Sequence, residues 1–477
     1  MTRRTMASLV LAAAVMSSGC GVLEPRLPEA APSIPAEWPL PETTTVPIAA
    51  EGATEASPGT PATADIGWRD FFVDPRLQEV IARALDNNRD LRVAVLNVER
   101  ARALYRIERA DRVPTVGATA AMIRTGGDDA PTTESFTAGV GITEFELDLF
   151  GRVRNLSQAA LQQYFAQEEA RRSAQLALIA EVANAYLALA ADQEQLRVVR
   201  LTLTTREEFH ALTQKRYEFG AVSALDVSQS RTQVEAARAD VARFSGQAAQ
   251  TANALQLLVG APVGPDLLPQ SFGESVTGLA PLPAGLPSEV LLRRPDVLAA
   301  EHRLRADNAN IGAARAAFFP SIKLTGSVGS ASDELSGLFD AGTGVWVFAP
   351  QVNLPIFEGG RLRANLDVAR ADRDIALAQY ERAIQAGFRD VADALVLTTT
   401  LAEQRAARQA TVDAATEADR LALARYKAGR DSYLVLLESQ RALYLAQQTL
   451  IVTRLAEQTN RVTLYKALGG GWLERGP

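Results

Sequence analysis

Apolar residues recur at helical spacing along two very long stretches of this chain. The first stretch covers residues 152–258 and is interrupted at Gly220. The second covers residues 361–468 and is interrupted at Gly429. Neither stretch contains a proline, so the pattern predicts two long helical hairpins with their reversals at the glycines. Ser223 and Ser432, three residues after the glycines, are predicted to cap the returning helices. At about 1.5 Å per residue, the first arm of each hairpin is expected to be roughly 100 Å long.

The apolar side chains of these arms spread over more than one face. One stripe in the first arm consists of Leu178, Val182, Tyr186, Leu189 and Leu196. The arms are also rich in alanine, which suits a helix with neighbours on both sides. This pattern favours lateral packing into a sheet or barrel of helices. The alternative, a plain two-stranded coiled coil, favours one narrow stripe of Leu and Ile.

Shorter patterns precede each hairpin. Helical periodicity runs from about Asp74 to Arg109 and is ended by Pro114, which predicts one continuous helix. Alternating apolar and polar residues follow at about 115–147, and the second half repeats them at about 321–355. They predict two β-hairpins with one apolar face.

Each predicted strand is about ten residues long, the length of a tilted strand that spans a membrane. Alternation of this kind is typical of a membrane β-barrel, and the alternative is a water-soluble antiparallel sheet with one wet face. The alternation changes phase at Glu144, which indicates a bulge or the edge of the membrane.

Four strands cannot close a barrel, because natural membrane barrels have at least about eight. An open edge in lipid would leave backbone groups unpaired. Spanning strands therefore require several chains. Two, three or four chains would supply about eight, twelve or sixteen strands, and the residues alone do not choose among these numbers.

The chain contains an internal repeat. Residues 216–225 and 425–434 share an Arg-Tyr-x-x-Gly segment at an offset of 209 positions, and each segment lies at a helix reversal. We therefore predict two structural repeats, at residues 67–270 and 271–477. Each repeat is expected to contain a helix, a β-hairpin and a long helical hairpin.

The N-terminus has the pattern of a secretion signal. Arg3 and Arg4 precede an apolar run that is too short to span a membrane. The run leads to Met16–Cys20, which resembles a lipobox although Ser17 stands where Leu is usual. We predict a signal peptide at residues 1–19 and lipidation of Cys20, the only cysteine. The alternative is an ordinary signal peptide with cleavage elsewhere and an incidental thiol.

Residues 20–66 are rich in Pro, Ala, Thr and Glu, and such a segment cannot bury enough apolar surface to fold alone. We expect an extended tether laid along the folded body, and the alternative is a disordered linker. Gly21, directly after the cysteine, favours delivery to the outer membrane.

Composition and charge exclude several functions. The net charge of −7 argues against a nucleic-acid partner. His210 and His302 are the only histidines and lie far apart, and the sequence has no paired cysteines and no phosphate-binding loop. No cofactor, metal site or catalytic group is predicted, which argues against an enzyme. No transmembrane helix is expected after the signal.

The mature chain resembles the TolC-type outer-membrane efflux channels, the outer membrane factors, in the lipoprotein branch typified by OprM. The most specific motifs are Trp68–Leu77, Leu292–Val297, Ala316–Ser321 and Pro355–Leu362. The resemblance implies a homotrimer with a twelve-stranded barrel in the outer membrane and a helical tunnel in the periplasm. It further implies two partners. These are a periplasmic adaptor (membrane fusion protein) and an inner-membrane pump of the resistance-nodulation-division type.

In the family, a gate lies where the helices reverse, and its residues can be matched by position. The resemblance implies a gate formed by Leu434, Glu438, Arg441, Asp431, Ser432 and Asp226. Relatives usually carry Asp where Glu438 stands. The adaptor is expected to dock at the helix tips, around Gly220, Ser223, Gly429 and Arg430. The alternative for Asp226 and Asp431 is an ordinary solvated charge at a helix end.

The expected function is a passive exit duct for drugs and toxic compounds. Two other functions remain open from the sequence. The duct could serve a type I protein secretion system, or the chain could be a structural lipoprotein that conducts nothing.

Overall fold

Helices make up most of this protein, as the periodicity predicts. The computed structural model describes residues 23–30, 34–35, 38, 66–128, 130–273, 278–280, 288–471 and 474. The α-helices within these residues are α1 (Trp68–Phe71), α2 (Pro75–Asn87), α3 (Arg89–Ala110), α4 (Arg152–Glu218), α5 (Ala224–Val259), α6 (Pro295–Ala316), α7 (Arg361–Lys427) and α8 (Tyr433–Ala467). Two short 3₁₀ helices cover Ser288–Arg293 and Leu335–Gly337.

The predicted helix from Asp74 to Arg109 is wrong in one respect, because it breaks at Asn88 into α2 and α3. Asn88 has extended backbone angles, and its side-chain oxygen accepts a 2.8 Å hydrogen bond from the Leu91 amide. Its side-chain amide donates a 2.8 Å bond to the carbonyl of Leu258. The helix break therefore depends on the Asn88 cap and on a hydrogen bond to Leu258, which is 170 residues away in sequence. Hydrophobic periodicity indicates neither of these contacts.

Four antiparallel strands form one sheet in the order β1-β2-β3-β4. They are β1 (Val116–Gly127), β2 (Ala130–Leu147), β3 (Ser321–Ser332) and β4 (Gly344–Asn353). Among the described residues, β1 and β4 are paired on one side only. The two predicted β-hairpins therefore combine into a single sheet with two open edges.

The register of the sheet gathers apolar side chains on one face. One row across the strands consists of Ala118, Val140, Val328 and Trp346. The next row lies on the opposite face and has smaller side chains. It consists of Gly117, Gly141, Ser327 and Val347. The apolar face is open to its surroundings, since Val328 and Trp346 are 66% and 77% exposed.

The phase change at Glu144 is a β-bulge, the first of the two predicted alternatives. Glu144 has a φ of 55°, and the pairing of β2 with β3 shifts between Ile142 and Phe145. After the bulge, Phe145 pairs with Leu324 and joins the apolar face. The extra residue therefore keeps the large apolar side chains on one side of the sheet.

The chain divides into two compact units. Unit 1 comprises Met1–Pro32, Leu96–Glu169 and Leu298–Ala383, and it contains the sheet and most of α6. Unit 2 comprises Ser33–Val95, Ala170–Val297 and Ile384–Pro477, and it contains both helix reversals. Each unit takes segments from both halves of the sequence.

The largest core lies in unit 2. The rings of Phe71 and Tyr465 stack with their centroids 4.0 Å apart, and Trp68 and Phe72 are buried in the same cluster. The predicted apolar stripe of α4 is buried throughout, and it consists of Leu178, Val182, Tyr186, Leu189 and Leu196. One segment within α4 is long and apolar enough to cross a membrane, but 61% of it is buried inside the protein. This burial fits a core helix.

Candidate functional site

The two reversals of the helical hairpins have the same backbone geometry. Gly220 and Gly429 have φ angles of 69° and 70°, a left-handed conformation that glycine adopts without strain. The amide of each glycine bonds to the carbonyl three residues earlier at 2.9 Å. The prediction of tight glycine reversals at both points is confirmed. We call the segments 216–226 and 425–433 the first tip and the second tip.

The first tip is closed by a capping box. The Ser223 hydroxyl accepts a 3.2 Å bond from the Asp226 amide, and the Asp226 carboxylate accepts a 2.9 Å bond from the Ser223 amide. The predicted cap at Ser223 is therefore confirmed. Asp226 has a clear structural role as the carboxylate that completes the box.

The predicted side-chain cap at Ser432 is wrong. Ser432 occupies the N-cap position of α8, but its side chain makes no capping hydrogen bond. Three residues on, Val435 stands where Asp226 supplies a carboxylate in the first copy, so the return bond of a capping box to the Ser432 amide cannot form either.

An ion pair across the reversal holds the second tip. Arg425 donates to both carboxylate oxygens of Asp431, with Nε and Nη2 at 2.6 and 2.8 Å. This contact lowers the pKa of Asp431 from its usual value. Arg430, between the two, has an exposed side chain. Sequence reasoning missed Arg425, although an arginine six residues before an aspartate across a glycine turn is a readable signal.

Three predicted gate residues share an exposed face of α8. Leu434 is 57% exposed, and Arg441 Nη1 lies 3.1 Å from Glu438 Oε1. Both side chains of this pair are more than half exposed. The pair lies within one helix, and an exposed pair of this kind contributes at most about 1 kcal/mol. The pair therefore adds little to stability and presents one negative and one positive group on the surface.

An aromatic cluster joins the two hairpins beside the tips. Phe209 of α4 stacks on Tyr433 of α8 with ring centroids 5.0 Å apart, and it lies 5.5 Å from Tyr426 of α7. The Arg216 guanidinium lies 5.2 Å from the Tyr426 ring centroid. Burial raises the pKa of Tyr433 to about 12, so its hydroxyl stays neutral at ordinary pH. Sequence reasoning did not find this cluster.

A second connection between the hairpins lies further along the helices. The Tyr444 hydroxyl of α8 donates a 2.9 Å bond to Asp240 of α5. Arg206 of α4 is buried, with its guanidinium 5.4 Å from the Tyr444 ring and donating a 3.1 Å bond to the Gln233 carbonyl. Burial lowers the pKa of Arg206 from its usual value.

The two histidines make structural hydrogen bonds. His210 Nδ1 lies 2.7 Å from the Ser230 hydroxyl, and His302 Nδ1 lies 2.8 Å from Gln162 Oε1. Within the part of the chain that the structure describes, no group of three or more His, Cys, Asp or Glu side chains forms a metal site. Cys20, the predicted signal peptide and most of the predicted tether lie outside the described residues.

Comparison with known proteins identifies the family of this fold. The family described as "Outer membrane efflux protein" matches residues 80–261 and 286–470. The toluene efflux pump outer membrane protein TtgC of Pseudomonas putida is 45% identical over 482 residues, covering 99% of this chain and 96% of TtgC. The outer membrane protein OprJ of Pseudomonas aeruginosa is 47% identical over 416 residues, covering 86% of this chain and 87% of OprJ.

A solved structure agrees with these relatives. The open state of the MtrE outer membrane channel of Neisseria gonorrhoeae has a TM-score of 0.84 and 40% identity, covering 95% of this chain and 99% of that one. Proteins of this kind are passive channels of the outer membrane, and the prediction that the chain is not an enzyme is confirmed. The matches extend over nearly the whole length of the chain, and they agree with its two long helical hairpins and its four-stranded sheet. This chain therefore belongs to the outer membrane efflux protein family.

Proposed function

We propose that this outer-membrane channel works as a homotrimer and forms the exit duct of a tripartite efflux pump. The observation that carries the proposal is the four-stranded sheet with one apolar face and two open edges. Four strands are too few to close a barrel, and an open edge in lipid leaves backbone groups unpaired. Three chains would pool twelve strands and remove every edge.

The proposed partners follow from what the family does. A periplasmic adaptor joins the channel to an inner-membrane pump, which we propose is of the resistance-nodulation-division type. The cargo is proposed to be small molecules, since the relative TtgC is named for the efflux of toluene. The channel itself supplies no energy, so its contribution is a path and a gate.

The gate is proposed to lie on the exposed face of α8 and at the second tip. Leu434, Glu438 and Arg441 would recur three times around a threefold axis, where a leucine ring excludes water and a glutamate ring gathers like charge. The Arg441 contact to Glu438 reduces that repulsion. Asp431, Ser432 and Asp226 would complete the constriction from the reversals.

The adaptor is proposed to dock at the two tips around Gly220, Ser223, Gly429 and Arg430. The side chains next to the glycines differ between the copies. Phe219 is 86% exposed next to Gly220, whereas Ala428 and Arg430 are the exposed neighbours of Gly429. The adaptor would therefore meet an aromatic ring beside the first glycine and an arginine beside the second.

The two copies, at residues 67–270 and 271–477, are proposed to have diverged into supporting and gating roles. The first tip carries a complete capping box, which favours a rigid reversal. The second tip lacks that cap and relies on the contact between Arg425 and Asp431. A less firmly capped reversal suits the part of the duct that opens.

A lipid anchor is proposed at Cys20 after removal of residues 1–19. The support is the apolar signal run and the small residues before the only cysteine. Cys20→Ala should abolish globomycin-sensitive processing and metabolic labelling with palmitate. Persistence of the lipid label in that variant would show that the anchor lies elsewhere.

The function is tested by measuring ion conductance of the purified full-length protein in planar bilayers. Stepwise conductance from a preparation that crosslinks as trimers would support the proposed duct. A trimer or monomer that inserts but never conducts would instead identify a structural lipoprotein. Restored resistance to toluene in a strain that lacks its own channel, with pump and adaptor present, would support small-molecule efflux.

A further inference from the structure

The face of the sheet opposite the apolar face, which we call the second face, carries charged side chains at one end. Glu146, Lys323 and Gln351 are direct neighbours across β2, β3 and β4. Leu324, the next residue of β3, belongs to the apolar face. Because successive side chains of a strand point to opposite faces, Lys323 and its neighbours in this row lie on the second face.

The rest of the second face is uncharged. On β3 it continues with Thr325, Ser327, Gly329 and Ala331. Among the strand residues that the structure describes, those of β1, β2 and β4 that share this face beyond the row of Lys323 carry no charge either. The charges are therefore confined to the end of the sheet where β2 leads into α4 and β3 follows α6.

The bulge residue Glu144 adds a second carboxylate at this end. Its Oε2 lies 3.4 Å from Lys323 Nζ, so the carboxylate is on the second face as well. Within the described part of the chain, Glu144 is the one residue other than glycine that has a positive φ. Glycine would adopt this conformation without strain. A charged side chain is thus present at a position where the backbone favours glycine.

The two carboxylates differ in how open they are to the surroundings. The Glu146 side chain is 15% exposed, and its two oxygens accept bonds of 2.8 and 2.6 Å from Arg152. The Glu144 side chain is 76% exposed, and that of Lys323 is 41% exposed. An exposed pair of this kind interacts weakly. Glu144 and Lys323 are therefore the charges that this end of the sheet presents to a passing solute.

The second copy of the repeat shows that the fold does not require these carboxylates. At the offset of 209 positions between the copies, Asn353 and Pro355 stand where the first copy has Glu144 and Glu146. The pairing of β3 with β4 has no register shift. A strand of this sheet can therefore end before its long helix without a bulge and without an acidic side chain.

We propose that Glu144 and Lys323 form a charge filter inside the barrel, at the end of the sheet next to the helices. The inference rests on the proposed homotrimeric barrel, in which the apolar face meets lipid and the second face lines the passage. Three chains would then place three side chains of each sign at one level. The filter sets the charge preference of this section, because its carboxylates attract cations and its ammonium groups attract anions.

The filter is tested by the reversal potential of the full-length channel in planar bilayers under a KCl gradient. Lys323→Gln leaves the carboxylates unbalanced and should raise the permeability ratio of K⁺ to Cl⁻ several-fold. Glu144→Gln should lower the same ratio several-fold. The double variant should return close to the ratio of the unchanged protein. Equal ratios for the unchanged protein and both single variants would overturn the filter.

A matched pair on the apolar face provides the control. Arg124 Nε lies 3.3 Å from Glu134 Oε1 across β1 and β2, in register with the apolar row of Ala118 and Val140. Arg124→Gln and Glu134→Gln change the net charge by the same amounts as the filter variants, but outside the passage. Both should leave the permeability ratio unchanged. Shifts as large as those of the filter variants would reduce the effect to net charge and refute the filter.

Thiol labelling in outer-membrane vesicles examines the same charges without ion flow. In Glu144→Cys, the neighbouring ammonium group of Lys323 should favour an anionic methanethiosulfonate over a cationic one. Adding Lys323→Gln should lower that rate ratio several-fold, after subtraction of any Cys20 signal seen in the unchanged protein. A protein that inserts but never conducts would refute the duct, and the rate ratio would still decide whether Lys323 acts at position 144. A conducting channel whose selectivity and labelling ignore Lys323→Gln would refute the filter and leave the duct.

Discussion

The Tyr444 hydroxyl donates a 2.9 Å hydrogen bond to the Asp240 carboxylate and so joins α8 to α5. Arg206 of α4 lies over the same tyrosine ring. Helices of both hairpins thus meet in one polar contact, at residues 204 positions apart in sequence. If the second hairpin moves outward from the first, either this hydrogen bond breaks or α5 moves together with α8.

Tyr444→Phe should weaken the contact between the hairpins. A hydrogen bond to a charged group contributes about 1.5–3 kcal/mol. The change removes the donor to Asp240 Oδ2, while Arg243 still donates a 3.0 Å bond to Oδ1. We expect a lower thermal midpoint in detergent, measured by circular dichroism. Tyr217→Phe, at a half-exposed position of the first tip, should leave the midpoint unchanged. Equal midpoints for both variants would show that the Tyr444 bond contributes nothing.

Gly329→Ala should prevent correct formation of the sheet. A Cβ atom at this position would lie 2.2 Å from the Ala138 carbonyl oxygen on the neighbouring strand. We expect the outer-membrane fraction to contain little folded protein. The folded form is measured on gels as the band whose mobility changes when the sample is heated. Gly344→Ala is the matched control, because nothing lies within 4 Å of its added Cβ. Normal amounts of folded Gly329→Ala protein would mean that β2 and β3 separate easily.

The Arg425–Asp431 pair should stabilise the second tip only while the carboxylate is ionised. The folded pKa of Asp431 is lowered, so the contribution is present above the unfolded value of 3.8 and is lost as pH falls through the folded value. A double-mutant cycle with Arg425→Gln and Asp431→Asn should give a favourable coupling at pH 6. That coupling should disappear in strong acid. A coupling that is the same at both pH values would exclude an ionic contact.

The long helices and the strands could be predicted from sequence because each carries its own periodicity. The alternation changes phase at Glu144, which narrowed that position to a bulge or the edge of the membrane, and the structure shows a bulge. Asn88 could not, because the helix break depends on the distant carbonyl of Leu258. Local sequence patterns predict local structure, and they contain no information about hydrogen bonds to residues far away in the sequence.

The helix reversals of the candidate site could be predicted from the sequence, but the contacts between its helices could not. Gly220, Gly429 and Ser223 behave as their residue types require. Ser432 stands at the matching N-cap position but makes no capping bond, and Val435 cannot supply the carboxylate that completes the box in the first copy. The contact of Tyr444 with Asp240 joins two separate helices, and no spacing rule connects residues so far apart.

The most direct test of a gated duct is the single-channel conductance of Glu438→Ala with Arg441→Ala in planar bilayers. Removal of a charged ring at the constriction should raise the conductance several-fold over the unchanged protein. The control is Glu417→Ala with Arg420→Ala, which removes an equally exposed pair at the same spacing on α7. We predict a larger conductance for the α8 variant alone. Equal conductance for the unchanged protein and both variants would contradict it.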